Sequence, residues 1–136
     1  MKLSKKTHYG IKMLAYLATH REEFVSLPQL GADLDMPPLF LKHIAAALKR
    51  NRILESQGGM HGGYRLSRNP DEITLGKIFR VLGEPVRLVP CTTKQCNHHK
   101  CITGPFWESV ANNLNAAFEQ TTLATVVAAS ILPPAQ

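Results

Sequence analysis

The stretch from Ser26 to Arg50 constrains the fold most, because it holds two helical patterns with almost no chain between them. Ser26 and Gln29 have the spacing of a capping box in front of a first apolar pattern. Pro37 and Pro38 interrupt that pattern and start a second helix. The apolar positions of the second helix share one face: Leu41, Ile44, Ala45 and Leu48. Two short helices joined by a tight turn, the second one basic, are typical of a helix-turn-helix.

A Gly-rich hairpin is predicted directly behind these helices. Residues 53–57 and 64–67 form two short alternating runs, and GGMHGG lies between them. This order predicts a winged helix, in which the second helix enters the major groove of DNA and the hairpin contacts the backbone or the minor groove. The alternative is an unrelated small α+β domain, which leaves the charge distribution unexplained.

Basic residues are concentrated in the first half of the chain. Residues 1–68 hold eleven basic and five acidic side chains, whereas residues 69–136 hold five of each, so the whole formal charge of +6 is N-terminal. This bias favours a polyanion partner, because Lys and Arg make most phosphate contacts. Charge alone is equally compatible with a basic surface that has no partner.

Four further helices complete a mostly α fold with a small β-hairpin wing. Ser4 caps a helix over residues 4–20, and Thr74 caps one over residues 75–82. A long helix begins at Pro105 and ends near residue 120, followed by a short helix over residues 123–129. The long helix has an apolar stripe without a core to cover, which predicts a homodimer. The stripe contains Phe106, Trp107, Val110, Leu114, Ala117 and Phe118.

We therefore expect a winged helix-turn-helix DNA-binding domain over residues 1–83, a cysteine-containing loop over residues 84–104, and a dimerisation helix with a C-terminal segment over residues 105–136. Lys5, Lys6 and Lys12 interrupt the N-terminal segment before an apolar signal core can form. No stretch has the roughly 20 apolar residues that span a bilayer. These features predict a cytoplasmic protein without a membrane partner.

All three cysteines lie in the segment CTTKQCNHHKC, residues 91–101. In a reducing compartment, clustered thiols bind metal or carry out redox chemistry more often than they form structural disulfides. An odd number of cysteines also cannot all pair within one chain. Cys91, Cys96 and Cys101 suit an iron-sulfur cluster, and zinc is the second alternative. Direct thiol oxidation is the third. Three thiolates leave one position of a four-ligand set open.

Segments from nearly the whole chain resemble one family. They are MKLSKKTHYGIKMLAYLA, SLPQL followed by LKHIAAALKRNRIL, HGGYRLSRNPDEITLGKIFRVL, and the cysteine segment ahead of a terminal helix. Together they resemble the Rrf-type winged-helix transcription regulators, which include the IscR and NsrR repressors. LVPCTTKQC and QTTLATVV are most similar to the nitric-oxide-responsive NsrR branch. The resemblance implies a dimer that binds a pseudo-palindromic promoter site, and a 2Fe-2S or 4Fe-4S cluster on the three cysteines that reports on nitric oxide, iron or redox state.

The resemblance also bears on the fourth ligand. IscR-like relatives use a histidine three residues after the last cysteine, where this chain has Gly104. NsrR-like relatives can use a side chain near the start of the first helix, donated by the partner subunit, and that position is His8. We favour His8. The alternatives are a surface role for His8 and ligation by His98 or His99.

DNA contacts are predicted on the second helix of the motif and on the wing. Relatives usually have an arginine before the wing glycines, where this chain has Gly58, so a minor-groove contact must come from His61 or Arg65 or be missing. Lys42 stands where the cluster-assembly regulators have an acidic residue, so their DNA sites do not transfer. Contacts to bases or the groove wall are expected from Pro38, Leu39, Lys42 and His43, and phosphate contacts from Lys49, Arg50 and Arg65. The alternative for Lys49 and Arg50 is a solvated helix end.

An enzyme or a small iron-sulfur carrier is the alternative of a different class. The sequence has no phosphate-binding Gly loop, no acid-base pair of defined spacing and no nucleophile motif. A carrier would need neither a winged helix nor a basic half. We therefore expect a regulator, probed most directly by its binding to double-stranded promoter DNA.

Overall fold

The computed structural model describes residues 2–84, 86, 88 and 102–131, apart from the side chain of residue 131. The segment that holds the three cysteines, His98 and His99 lies outside these residues. The described elements are α1 (Lys5–Thr19), α2 (Leu27–Leu34), α3 (Pro38–Arg50), β1 (Leu54–Gln57), β2 (Gly63–Leu66), a 3-10 helix (Pro70–Glu72), α4 (Leu75–Leu82), α5 (Gly104–Gln120) and α6 (Leu123–Ile131). The mostly α fold with a two-stranded antiparallel wing is confirmed. None of the helices in this part of the chain is long and apolar enough to cross a bilayer.

Side-chain caps start the helices where the sequence predicted. Ser4 and Thr74 cap α1 and α4 by accepting a hydrogen bond from a backbone N–H in the first turn. Ser26 Oγ accepts from the Gln29 N–H in the same way, but the Gln29 side chain donates to Asp33 and does not complete a capping box. Each cap satisfies an N–H that has no partner within its helix, which sets where the helix begins.

One apolar core joins the helix-turn-helix to the hairpin and to the helices on either side. Asp35 ends α2 in the left-handed conformation, with φ of 52°, and α3 starts at Pro38. The short turn allows α2 and α3 to bury their apolar faces against α1 and α4. The largest fully buried apolar side chains are Met13, Leu14, Leu17, Leu30, Leu41, Ile44, Leu48, Ile53, Ile73, Ile78 and Leu123.

The C-terminal segment returns to the winged helix. The Leu75 N–H donates to the carbonyl of Thr121 at 2.9 Å, and the Leu123 N–H donates to the carbonyl of Ile73 at 2.7 Å. Leu123 is fully buried, and α6 packs on α1. The division at residues 83 and 105 stays a prediction, but the sequence did not indicate that α6 completes the core of the first domain.

Among the described α-helices, α5 alone has no buried residue. Near its C-terminal end the Phe118 ring meets Phe79 of α4 edge to face, with 4.8 Å between the centroids. Arg80 and Glu119 form an ion pair beside this contact. Toward the N-terminal end Phe106 is 60% exposed. The apolar stripe therefore packs on α4 at one end and remains partly open at the other, and the homodimer stays a prediction.

Candidate nucleic-acid interface

Helix α3 has one buried and one exposed face, as the sequence predicted. Five apolar side chains, from Leu41 to Leu48, anchor it in the core. The exposed positions of its first two turns include Pro38, Leu39, Lys42 and His43. Leu39 is 69% exposed. An exposed leucine is ordinary by itself, but beside Lys42 it offers an apolar surface that suits a thymine methyl group. The contact of these four residues with DNA stays a prediction.

The C-terminal end of α3 adjoins a basic groove. Lys49 and Arg50 occupy its last turn, where the helix dipole favours cations. Lys49, Arg52 and Arg68 line a groove of about 510 Å³ beside β1. The Ser67 hydroxyl donates to the Arg52 carbonyl at 2.5 Å and ties the two sides of the groove together. Arg52 and Arg68 were missed by the sequence reasoning, although the spacing KRNR at the end of α3 was a signal.

Arg65 is engaged within the wing. The strand register places it opposite Glu55, and its Nη2 lies 2.6 Å from Glu55 Oε1. Its Nε donates to the same oxygen at 2.8 Å, and its guanidinium lies 4.2 Å from the centroid of the Phe24 ring. The carboxylate offsets the positive charge, and the ring contact fixes the guanidinium plane. The phosphate contact predicted for Arg65 stays a prediction, whereas its contacts in the structure stabilise the wing.

The base of the wing is fixed and its tip protrudes. Val25 and Tyr64 exchange two backbone hydrogen bonds, of 2.9 and 2.8 Å, which hold β2 to the segment before α2. At the tip the Gly62 N–H donates to the Gly59 carbonyl at 3.1 Å. His61, a predicted DNA contact, is exposed there. The wing is therefore positioned by its base, which carries the tip to the surface.

The first turn of α1 is tied to Glu84, which lies seven residues before Cys91 in the sequence. The Glu84 carboxylate accepts hydrogen bonds from the Ser4 and Thr7 hydroxyls, both at 2.6 Å, and from the Ser4 N–H at 3.2 Å. Thr7 is fully buried, and His8 next to it is exposed. Among the described residues no group of three potential metal ligands comes together. Because Cys91, Cys96 and Cys101 lie outside those residues, their ligation with His8 stays a prediction.

The hydrogen bonds from Ser4, and next those from Thr7, hold the pKa of Glu84 below its ordinary value of 4.5. Because the pKa of Glu84 is lower in the folded state, the ionised carboxylate stabilises the fold. This stabilisation is fully present above the pKa of the unfolded state and is lost as the pH falls through the pKa of the folded state. We expect Glu84→Gln to lower the free energy of unfolding by about 1–2 kcal/mol near neutral pH. The difference in unfolding free energy between Glu84→Gln and wild type should shrink as the pH falls below about 4.

Urea unfolding at about pH 7 and about pH 3.5 measures this difference, with Glu22→Gln as the control, because Glu22 is exposed on the surface. The control should change the unfolding free energy by less than about 0.5 kcal/mol. A Glu84→Gln effect of the same size at both pH values would contradict the assigned role of the carboxylate.

Comparison with known proteins agrees with this geometry. The model of the Rrf2 family, described as an iron-dependent transcriptional regulator, matches residues 3–129. The transcriptional regulator IscR of Aliivibrio salmonicida (strain LFI1238) is 26% identical over 126 residues, which are 90% of this chain and 75% of that protein.

Solved structures show the same likeness. CymR, described as the global cysteine regulator of B. subtilis, is 26% identical with a TM-score of 0.79, over 95% of this chain and 98% of CymR. T. potens IscR is 27% identical with a TM-score of 0.77, over 99% of this chain and 94% of that protein. The family match covers almost the whole chain and includes the winged helix. The chain is therefore a transcriptional regulator and not the enzyme that was considered as an alternative. The chain belongs to the Rrf2 family of transcriptional regulators.

Proposed function

We propose that two copies of this chain form a cytoplasmic repressor that binds a pseudo-palindromic site in promoter DNA. The observation that carries the proposal is the exposed face of α3. Its cations Lys42, Lys49 and Arg50 make no ion pair with any described residue, so their charge is available to a polyanion.

The dimensions of α3 suit the major groove. Its 13 residues make a helix about 20 Å long. A helix can lie within the major groove, which is about 12 Å wide. With the buried face of α3 held by the core, Leu39, Lys42 and His43 can approach base edges. Phosphate contacts are proposed for Lys49 and Arg50, and for Arg52 and Arg68, which line the adjoining groove with Lys49.

The open part of the α5 stripe supports a homodimer. Trp107, Val110 and Leu114 are only half-buried, and a second copy is the partner we propose for them. A twofold dimer reads two half-sites, which is why the DNA site should be pseudo-palindromic. Sedimentation equilibrium should give twice the chain mass of 15.1 kDa, and a monomer at micromolar concentration would contradict the dimer.

The donor set favours an iron-sulfur cluster on Cys91, Cys96 and Cys101, with His8 of the second subunit as fourth ligand. The hydrogen bonds that Ser4 and Thr7 donate to Glu84 support a role for His8, because they hold Glu84, seven residues before Cys91 in the sequence, beside the first turn of α1. When bound, the cluster supplies a group that nitric oxide, iron loss or oxidation can alter. Nitric oxide is the signal we favour, from the resemblance to the NsrR branch.

A second candidate keeps the DNA-binding dimer and changes the cofactor or the signal. The likeness to CymR, described as a cysteine regulator, favours sensing of a thiol compound or direct oxidation of the cysteines. Zinc on the same residues is the other alternative.

Selection from a random DNA library tests the DNA-binding function. We expect protein purified without oxygen to enrich one pseudo-palindromic site. We also expect it to bind that site at least about 1000-fold more tightly than random DNA near 0.1 M salt. Equal binding to all sequences would contradict a sequence-specific regulator.

Iron, sulfide and zinc analysis with a visible spectrum tests the cofactor. Equal amounts of iron and sulfide, lost in Cys96→Ala, are expected, together with a change in affinity for the selected site after nitric oxide treatment. Stoichiometric zinc in a colourless protein would move the proposal to the second candidate, and so would an affinity that is unchanged by removal of the cluster.

A further inference from the structure

The tip of the wing has a composition that the DNA-binding proposal does not yet explain. Residues 58–63 are GGMHGG, so the tip carries two side chains, Met60 and His61, and no lysine or arginine. The Met60 side chain is 96% exposed. Single exposed apolar side chains are common on protein surfaces, so it is the position of Met60 at the end of a hairpin without lysine or arginine at its tip that calls for an explanation.

The nearest candidate for a charged contact from the wing is occupied. The Arg65 guanidinium is bound to Glu55 and packed on Phe24, with 34% of its side chain exposed. An arginine held in this way does not extend to the tip. The wing therefore has no free cation near its tip with which to enter a narrow, strongly negative minor groove.

The tip lies beside the start of the first helix of the helix-turn-helix. Met60, His61 and Gly62 line a groove of about 410 Å³ with Glu23, Phe24, Ser26 and Gln29, the residues at and before the start of α2. This position places the tip beside the motif whose second helix we assign to the major groove. DNA-binding domains that place a helix in the major groove can also contact the adjacent minor groove.

We propose that the wing enters the minor groove with Met60 as an apolar wedge, flanked by His61. Methionine is among the side chains that proteins insert between base steps in the minor groove, where they partly unstack the bases and bend the duplex. Such a wedge favours deformable pyrimidine–purine steps, whereas an arginine favours narrow A-tracts. This inference rests on the proposed function and adds the DNA feature that the wing recognises.

The test compares wild type, Met60→Ala and Met60→Arg on the site that the wild-type protein selects. Met60→Ala should bind about 10- to 50-fold more weakly, because an apolar contact is lost in each subunit. Its slope of log affinity against log salt should stay within about 0.5 of wild type, since no phosphate contact is removed. Met60→Arg should steepen that slope by about one for each subunit and shift the selected flanking sequence from a pyrimidine–purine step to an A-tract.

Leu3→Ala is the matched control, because Leu3 is also an exposed apolar side chain, at 37%, and lies outside α3 and the wing. It should bind DNA as wild type does. Met60→Ala should melt at the wild-type temperature, since Met60 contributes nothing to the core.

Site selection by the wild type with unchanged affinity in Met60→Ala would overturn the wedge and leave the proposed function standing. Failure of the wild type to select any site would overturn both. Weaker binding with a smaller salt slope in Met60→Ala would show loss of phosphate contacts and would also overturn the wedge.

Discussion

Lys42→Glu is expected to weaken binding to the selected DNA site at least about 100-fold near 0.1 M salt. The side chain is exposed on the face of α3 that we assign to the major groove, and it has no ion pair with a described residue. In a dimer the substitution removes two attractive charges and places two carboxylates against DNA. The salt dependence of the affinity should become shallower as well. Fluorescence anisotropy over a range of salt concentrations measures both effects.

Lys12→Glu is the matched control for net charge, because Lys12 is exposed on α1, outside the helix-turn-helix and the wing. It should reduce affinity less than about threefold, since charges separated by more than a Debye length are largely screened. Both variants should unfold within about 0.5 kcal/mol of wild type. Equal losses of affinity in the two variants would show that overall charge, and not a contact by α3, determines binding.

Gly63→Ala is expected to lower the free energy of unfolding by about 3 kcal/mol. Gly63 has a φ of 152°, and a Cβ atom there would lie 2.2 Å from the Val25 carbonyl oxygen. That oxygen accepts the Tyr64 N–H at 2.8 Å, so the wing cannot relax without losing its attachment to the segment before α2. Backbone strain and overpacking each cost about 1–3 kcal/mol. Thermal and urea unfolding measure the loss.

Gly58→Ala is the control for stability within the same hairpin, because a Cβ atom there would meet nothing within 4 Å. It should change the unfolding free energy by less than about 0.5 kcal/mol. Gly63→Ala should also weaken DNA binding at a temperature where it remains folded, since the base of the wing positions its tip. Equal stability of the two variants would contradict the role assigned to the contact with Val25.

Local signals made the helix-turn-helix and the wing predictable. Ser4, Ser26 and Thr74 cap helices through hydrogen bonds within one turn, so their effect depends only on nearby residues. The hairpin likewise follows from a Gly-rich tip between two alternating runs. For the same reason the exposed residues of α3 could be named from helical spacing, once one face had been assigned to the core.

Contacts between distant segments were not predictable in the same way. Nothing near Arg65 in sequence showed that Phe24 would lie under its guanidinium. The return of α6 to α1 depends on backbone hydrogen bonds between residues 73–75 and 121–123, which side-chain patterns do not encode.

By itself the sequence determined the order and the starts of the helices, the Gly-rich wing, the basic first half and the group of three cysteines, because each is a property of neighbouring residues or of composition. The tertiary structure alone decided which cations remain free. Lys42 lies open on α3, whereas Arg65 is bound to Glu55, and the difference arises from the strand register and from packing against Phe24. Free charge at a surface depends on what the fold places within about 4 Å of each cation, and only packing sets that distance.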